Sequence, residues 1–132
     1  MTGGKKYFDG RAWLHTLERI TDHRGVLSPF DFSAMPFEPS RTFVVSGSSA
    51  NTVRGGHGHR QGQQMLVCLQ GRIEVLMRTD GEEASTTLEP GLSGLVFGPG
   101  IWCQQTYQVA GSILLVFASD PYDATSYLRD PE

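Results

Sequence analysis

The residues of this sequence best suited to chemistry are two histidines one residue apart. They are His57 and His59, in the segment 54–59, which reads Arg-Gly-Gly-His-Gly-His. The chain has 4 histidines in total, so half of them lie in this segment. On a β-strand, side chains two residues apart project from the same face. Because neighbouring imidazoles can bind a metal ion or move a proton, the spacing leaves both kinds of chemistry open.

Three glycines surround this histidine pair and argue for a functional role. Isolated histidines in proteins are usually structural or exposed, so the pair alone is weak evidence. Gly55, Gly56 and Gly58 remove side-chain bulk from the backbone on both sides and leave room for a ligand. The pattern therefore favours a site over a surface pair.

One arginine and two aromatic residues are further candidates for binding. Arg54 directly precedes the glycines, and the planar fork of a guanidinium suits the oxygens of a diphosphate. Most arginines in proteins are exposed surface residues, so the argument for Arg54 rests on its position beside the glycines. Trp102 and Tyr107 could stack on a base or a sugar, although aromatic residues at inward strand positions are more often core.

The elements that must position these residues are predicted to be strands. Short apolar runs recur between turn residues, and Thr79-Asp80-Gly81 is a strong hairpin signal. The first forty residues are less regular, with 13–20 open between strand and short helix, a turn at 22–25 and a further strand over 26–32. We expect one all-β domain over residues 1–132, built as a double-sheet barrel or jelly roll. The other predicted strands are 41–45, 64–69, 72–78, 84–88, 95–97, 101–109 and 112–119.

Composition limits the classes of function. The 132 residues are 39% hydrophobic and 19% charged, as in a folded globular domain, and the net charge of -3 offers no bulk attraction to nucleic acid or to an anionic membrane. Cys68 and Cys103 do not form a disulfide framework. No signal peptide or membrane span is predicted, which favours a cytoplasmic location.

Two segments are similar to the conserved motifs of cupins. His57-x-His59 followed by Gln64 and Gly71 is close to the first motif, in which a His pair, an acid or amide and a strand-ending Gly share this spacing. Residues 98–102, Gly-Pro-Gly-Ile-Trp, resemble the second motif. These matches predict the cupin type of jelly roll.

The chain more specifically resembles the dTDP-4-keto-6-deoxyglucose 3,4-ketoisomerase family, the WxcM-like sugar-nucleotide cupins. The resemblance extends from about Asp22 to Arg129, most of the chain. It rests on these residues: 22–25 (Asp-His-Arg-Gly), Arg41, 54–59, 66–71 (Leu-Val-Cys-Leu-Gln-Gly), 118–123 (Ala-Ser-Asp-Pro-Tyr-Asp), Tyr127 and Arg129.

This resemblance implies an isomerase of deoxysugar biosynthesis. Its substrate would be a dTDP-linked 4-keto-6-deoxyhexose, and the keto group would move from C4 to C3 through an enediol, with no metal and no cofactor. His57 and His59 would do the acid–base work, with His57 as the base. A homodimer is implied, and the segment 1–20 could be exchanged between its subunits. The resemblance and the sequence together give these substrate-binding candidates: Arg24, Arg41, Arg54, Gln64, Trp102 and Cys103.

The sequence departs from the family pattern in ways that keep two alternatives open. Phe43-Val44 replaces a Tyr-Tyr pair, and Cys103 and Thr106 replace histidines. The lost groups allow a binding module without catalysis. The other alternative is a metal-dependent cupin enzyme, in which Gln64 and Cys103 would complete the ligand set. An amide and a thiol beside two imidazoles match no common metal preference.

Overall fold

The computed structural model describes residues 4–91 and 93–128, so Arg129 and residues 1–3 lie outside the described residues. Short 3₁₀ segments occupy Phe8–Gly10, Phe32–Ala34 and Ala124–Ser126. No helix in these ranges has the length and hydrophobicity that crossing a membrane requires. The strands are β1 Lys6–Tyr7, β2 Ala12–Thr16, β3 Ile20–Asp22, β4 Gly25–Leu27, β5 Arg41–Val45, β6 Thr52–His59, β7 Gln64–Gln70, β8 Ile73–Thr79, β9 Glu82–Leu88, β10 Ser93–Phe97, β11 Trp102–Tyr107, β12 Ile113–Ala118 and β13 Tyr127–Leu128.

Two antiparallel sheets carry the fold, which confirms the predicted all-β, double-sheet architecture. The larger sheet has six strands in the order β1-β2-β10-β7-β12-β5, and the smaller has five in the order β13-β6-β11-β8-β9. Strands β3 and β4 form a separate hairpin. Apart from β1–β2 and β8–β9, neighbouring strands in each sheet are not consecutive in the chain, so residues from both halves of the chain meet between the sheets.

Strand β7 shows why the larger sheet is buried on both faces. Leu66 and Cys68 point into the core between the sheets, whereas Met65 and Val67 pack on the opposite face. The N-terminal segment covers that opposite face with Trp13, Leu17, Phe30, Met35 and Phe37. A strand buried on both sides reads as a continuous apolar run, as β7 does.

Strand β8 shows the other pattern, with one face on the core and one outside. Ile73, Val75 and Met77 are fully buried, and the residues between them are partly exposed. The strand ends in the predicted hairpin, where Asp80 and Gly81 have φ angles of 52° and 76°. Two positive φ angles are what a two-residue type I′ turn requires, so this prediction is confirmed.

Most predicted strands are confirmed, and the N-terminal region resolves the open choice. Residues 12–16 form a strand rather than a helix, and 22–25 form the turn of the β3–β4 hairpin. The predicted strand over 26–32 is wrong beyond Leu27. Pro29 has no N–H to give to a sheet, and the Asp31 side chain instead accepts a hydrogen bond from the Ser33 N–H at 3.0 Å, starting a 3₁₀ turn.

Candidate functional site

A bulge in strand β6 sets the direction of the side chains at the site. Cys103 pairs with His57 and Gln104 with Gly55, so Gly56 has no partner on β11. Gly55 and Gly56 have φ angles of 82° and 80°, in the left-handed region that glycine adopts without strain. Because of the extra residue, Arg54 projects from the same face as His57 although the two are three residues apart.

The glycine between the histidines is required by a close approach of two backbones. A Cβ atom added to Gly58 would clash with the carbonyl oxygen of Ile101. This contact lets β6 run tightly against the turn before β11, where the Gly100 N–H donates to the His59 carbonyl at 2.8 Å. The backbone that carries the histidine pair is therefore held in place by the turn that precedes β11.

The two imidazoles lie side by side, as the sequence predicts, and a tyrosine holds them. The ring centres of His57 and His59 are 5.7 Å apart. Tyr127 stacks on His57 at 4.4 Å with 13° between the ring planes, and meets His59 edge-on at 4.8 Å. Tyr127 reaches them because β13 returns to pair with the end of β6. The C-terminal tail is thus part of the site.

His59 lies in a setting that keeps its ring neutral. Its Nε2 atom is 3.0 Å from the Gln64 amide nitrogen, which can only donate, so Nε2 accepts and the ring proton is on Nδ1. Burial, with the electrostatic influence of His57 and of the Arg41 charge, lowers the pKa of His59 to about 4, and the charge of Asp120 opposes this shift only in part. His59 is therefore uncharged near pH 7.

Arg41 lies at the junction of two cavities with its guanidinium between aromatic rings. The guanidinium carbon is 5.2 Å from the ring centre of Phe43 and 5.5 Å from that of Tyr122. Its Nε atom is buried and has no hydrogen-bond partner among the described residues. A buried charged donor of this kind is suited to an anionic ligand.

The first cavity, called here the inner cavity, lies between the sheets and holds about 120 Å³. The second, the outer cavity, lies against the C-terminal tail and holds about 310 Å³. Arg41, His59 and Gln64 line both, so the two are adjacent. The inner cavity also contains Arg54, His57, Gln105, Tyr107 and Tyr127 in its lining. The outer cavity is lined further by Gln61, Gln63, Asp120, Tyr122 and Asp123.

Five of the predicted site residues are brought together in this way. They are Arg41, Arg54, His57, His59 and Gln64. Sequence reasoning did not select Asp120, Tyr122 or Gln105 for the site. Tyr122 and Tyr127 belong to the tail segment that carries the resemblance, and that segment was the available signal for them.

Arg24, Trp102 and Cys103 line neither cavity. Arg24 lies in the exposed β3–β4 hairpin, where it pairs with Asp22 at 2.6 Å. Trp102 is buried, and the guanidinium carbon of Arg78 lies 5.2 Å from the centre of the Trp102 ring. Cys103 is buried opposite His57 in the ladder, and burial raises the pKa of its thiol. Substrate contacts by these three residues stay predictions.

The donor set around the histidines is relevant to the metal alternative. Within residues 4–91 and 93–128, no three His, Cys, Asp or Glu side chains are grouped as a metal site needs. Gln64 uses its amide to fix His59, and Cys103 packs in the core. The arrangement offers one neutral imidazole, a second imidazole and two guanidinium groups around a cavity, which suits proton transfer on an anionic ligand.

Comparison with known proteins gives consistent matches. A family model described as FdtA, WxcM-like, C-terminal, matches residues 11–132. A TDP-4-oxo-6-deoxy-alpha-D-glucose-3,4-oxoisomerase from Aneurinibacillus thermoaerophilus is 31% identical over 113 residues, which are 85% of this chain and 81% of that protein.

Two solved structures share the fold along most of their length. One is a histidine-to-asparagine mutant of the 3,4-ketoisomerase QdtA from Thermoanaerobacterium thermosaccharolyticum, in complex with TDP-4-keto-6-deoxyglucose. It matches with a TM-score of 0.86 at 30% identity over 91% of this chain and 88% of that one. The other is the WlaRB TDP-quinovose 3,4-ketoisomerase from Campylobacter jejuni, with a TM-score of 0.83 at 29% identity over 90% and 92% of the chains.

Proposed function

The chain belongs to the FdtA family of WxcM-like, C-terminal proteins, and from this membership we propose that it is a sugar-nucleotide 3,4-ketoisomerase. Its substrate is a TDP-linked 4-keto-6-deoxyhexose, the reaction serves deoxysugar biosynthesis, and the cytoplasm is its location. The observation that carries the proposal is the shared inner cavity, where His57 and His59 face the same space as Arg41 and Arg54.

His57 is the base of this reaction. It removes the C3 proton, the C3–H electrons form a C3–C4 double bond, and the carbonyl electrons move to O4. Protonation of O4 gives the enediol. Loss of the O3 proton re-forms a carbonyl at C3, and a proton added at C4 completes an isomer of unchanged composition.

The properties of His59 support the assignment of His57 as the base. A pKa of about 4 makes His59 a weak base at neutral pH, which leaves abstraction to His57. The neutral ring of His59 carries a proton on Nδ1 and is a hydrogen-bond donor when Gln64 occupies Nε2. Gln64 is therefore a positioning residue that fixes the tautomer of His59.

The two arginines provide the charge that holds the nucleotide sugar. Arg41 has a buried, unpartnered Nε and lines both cavities, and Arg54 lines the inner cavity. Guanidinium groups bind diphosphate oxygens in pairs of hydrogen bonds. With the sugar among the histidines, the outer cavity is left for the remainder of the ligand.

The experiment is incubation with TDP-4-keto-6-deoxyglucose in deuterated water, followed by NMR. The wild-type chain should form the 3-keto isomer and incorporate deuterium. His57→Asn should fold normally and lose at least about 100-fold in rate, as expected for removal of a general base. His15→Asn is the matched control, because His15 lies on β2 away from both cavities.

Two outcomes would contradict the proposal. Tight binding of the TDP-sugar by the wild-type chain without exchange or product would assign it as a binding module. Full turnover by His57→Asn would remove His57 from the role of base.

A homodimer is the proposed assembly, and the exposed apolar residues support it. Strand β5 is the edge of the larger sheet, with Phe43 38% and Val44 55% exposed. The β3–β4 hairpin exposes Ile20 and Leu27 by 50% and 62%. Open edge strands and exposed apolar side chains are typical of surfaces that a second copy covers.

A further inference from the structure

Tyr107 is a buried residue of the inner cavity that the mechanism above does not use. It is the last residue of β11 and lies opposite Thr52 on one side and Ile73 on the other. Its side chain is fully buried, with 0% exposure. Yet its hydroxyl oxygen has no hydrogen-bond partner among the described residues.

A buried hydroxyl without a partner costs stability, so its presence calls for an explanation. A phenylalanine would fill the same core space without that cost. Thr79 and Arg41 also have buried, unpartnered polar atoms among the described residues, but Thr79 lines neither cavity. Tyr107 and Arg41 both line the inner cavity, so their unpartnered polar atoms belong to side chains that border the space a ligand would enter.

The hydroxyl stays protonated and is a donor at neutral pH. Burial raises the pKa of Tyr107, and the charge of Arg54 counteracts that shift only in part. A neutral donor close to a guanidinium favours an acceptor that carries negative charge. The proposed reaction forms such an acceptor, because the enediolate places negative charge first on O4 and then on O3.

We propose that the Tyr107 hydroxyl donates a hydrogen bond to the sugar oxygen that becomes negative in the enediolate, and that Tyr107 is thus a catalytic residue of the reaction. The inference rests on the proposed function. Tyr107 and His57 line the same inner cavity of about 120 Å³, so a sugar that reaches His57 enters the space that the Tyr107 side chain borders.

The test compares wild-type protein, Tyr107→Phe and Tyr7→Phe as ketoisomerases of TDP-4-keto-6-deoxyglucose. Tyr7 is a matched control, since it is also a buried tyrosine but lines neither cavity. Tyr107→Phe should lower kcat by about 10- to 100-fold, in the range for loss of one donor to a developing oxyanion. Its affinity for TDP alone, from calorimetry, should stay within about twofold, because the nucleotide does not contact the hydroxyl.

Thermal stability separates this role from a structural one. Removal of an unpartnered buried hydroxyl should leave the Tm of Tyr107→Phe equal to that of the wild type or a few degrees higher. A lowered Tm together with lost TDP binding would assign Tyr107 to packing and overturn the inference. Wild-type kcat in Tyr107→Phe would overturn it too, and would leave the proposed function intact. An inactive wild-type chain would instead overturn the proposed function, and the inference with it.

Discussion

At the scale of single residues, the contact between His59 and Gln64 affects how the stability of the fold depends on pH. The hydrogen bond at 3.0 Å satisfies the Nε2 atom of a half-buried ring, and the pKa of about 4 means that the folded protein resists protonation there. A histidine held neutral in this way ties the stability of the fold to pH.

The first prediction concerns acid stability. The pKa of His59 is about 4 in the folded state, below the ordinary value of 6.5, so the unfolded chain takes up this proton first as pH falls. The resulting stability is fully present above pH 6.5 and is lost between pH 6.5 and 4. Because the ring is only half-buried, the loss should be on the order of 1 kcal/mol.

Urea denaturation at pH 7 and at pH 4.5 measures this effect. Between pH 7 and pH 4.5, the free energy of unfolding of the wild type should fall by about 1 kcal/mol more than that of His59→Asn. An equal loss of unfolding free energy in the two proteins between pH 7 and pH 4.5 would contradict the lowered pKa of His59.

At the scale of elements, strand β6 carries most of the site. The period-two rule predicted that His57 and His59 share a face, which their ring contact confirms. The same rule would place Arg54, three residues before His57, on the opposite face. The bulge at Gly56 reverses this placement, and no local pattern in the sequence shows that Gly56 lacks a partner on β11.

The tail shows a second limit of prediction from sequence. The turns and apolar runs from Arg41 to Ser119 predict the strands because each signal is local. Strand β13 is only two residues long, and it forms because Tyr127 pairs with His59, nearly seventy residues earlier. Pairing at such a distance depends on the whole fold, so the resemblance alone could point to these residues.

A prediction at this scale tests the contact between β6 and the turn before β11. Gly58→Ala would place a methyl group against the Ile101 carbonyl, which cannot rotate away. The substitution should lower the free energy of unfolding by about 2–3 kcal/mol, as for other overpacked positions. Gly91→Ala is the control, because its Cβ would make only an ordinary contact at 3.7 Å, and its stability should stay within about 0.5 kcal/mol of wild type. Equal urea midpoints for both variants would contradict this prediction, because they would show that β6 can move away from the Ile101 carbonyl at little cost.

At the scale of the whole molecule, the N-terminal segment and strand β5 decide which surfaces face outward. Trp13, Phe30 and Phe37 cover the outer face of the larger sheet, so that face is closed within one chain. Among residues 4–91 and 93–128, nothing covers the free edge of strand β5 in this way, and Val44 remains 55% exposed. The proposed dimer closes this edge.

The prediction for the assembly is that Val44→Glu weakens the dimer. Burying a carboxylate in an apolar contact between two copies should raise the dissociation constant at least about tenfold, because desolvation of the charge opposes association. Sedimentation equilibrium measures this. Val53→Glu is the control, since Val53 is also 55% exposed but lies on β6 of the smaller sheet. A monomeric wild type, or a Val44→Glu variant as dimeric as the wild type, would exclude this interface.

The unpaired glycine of strand β6 has a consequence for how such a site can change over generations. Because Gly56 has no counterpart on β11, the guanidinium of Arg54 and the two imidazoles owe their common orientation to one codon. Loss of that codon would restore a regular strand and turn Arg54 outward, with every acid–base side chain still in place. The charge contributed by Arg54 and the proton chemistry of the histidines are thus separable traits, and deletion of Gly56 is the change that would separate them.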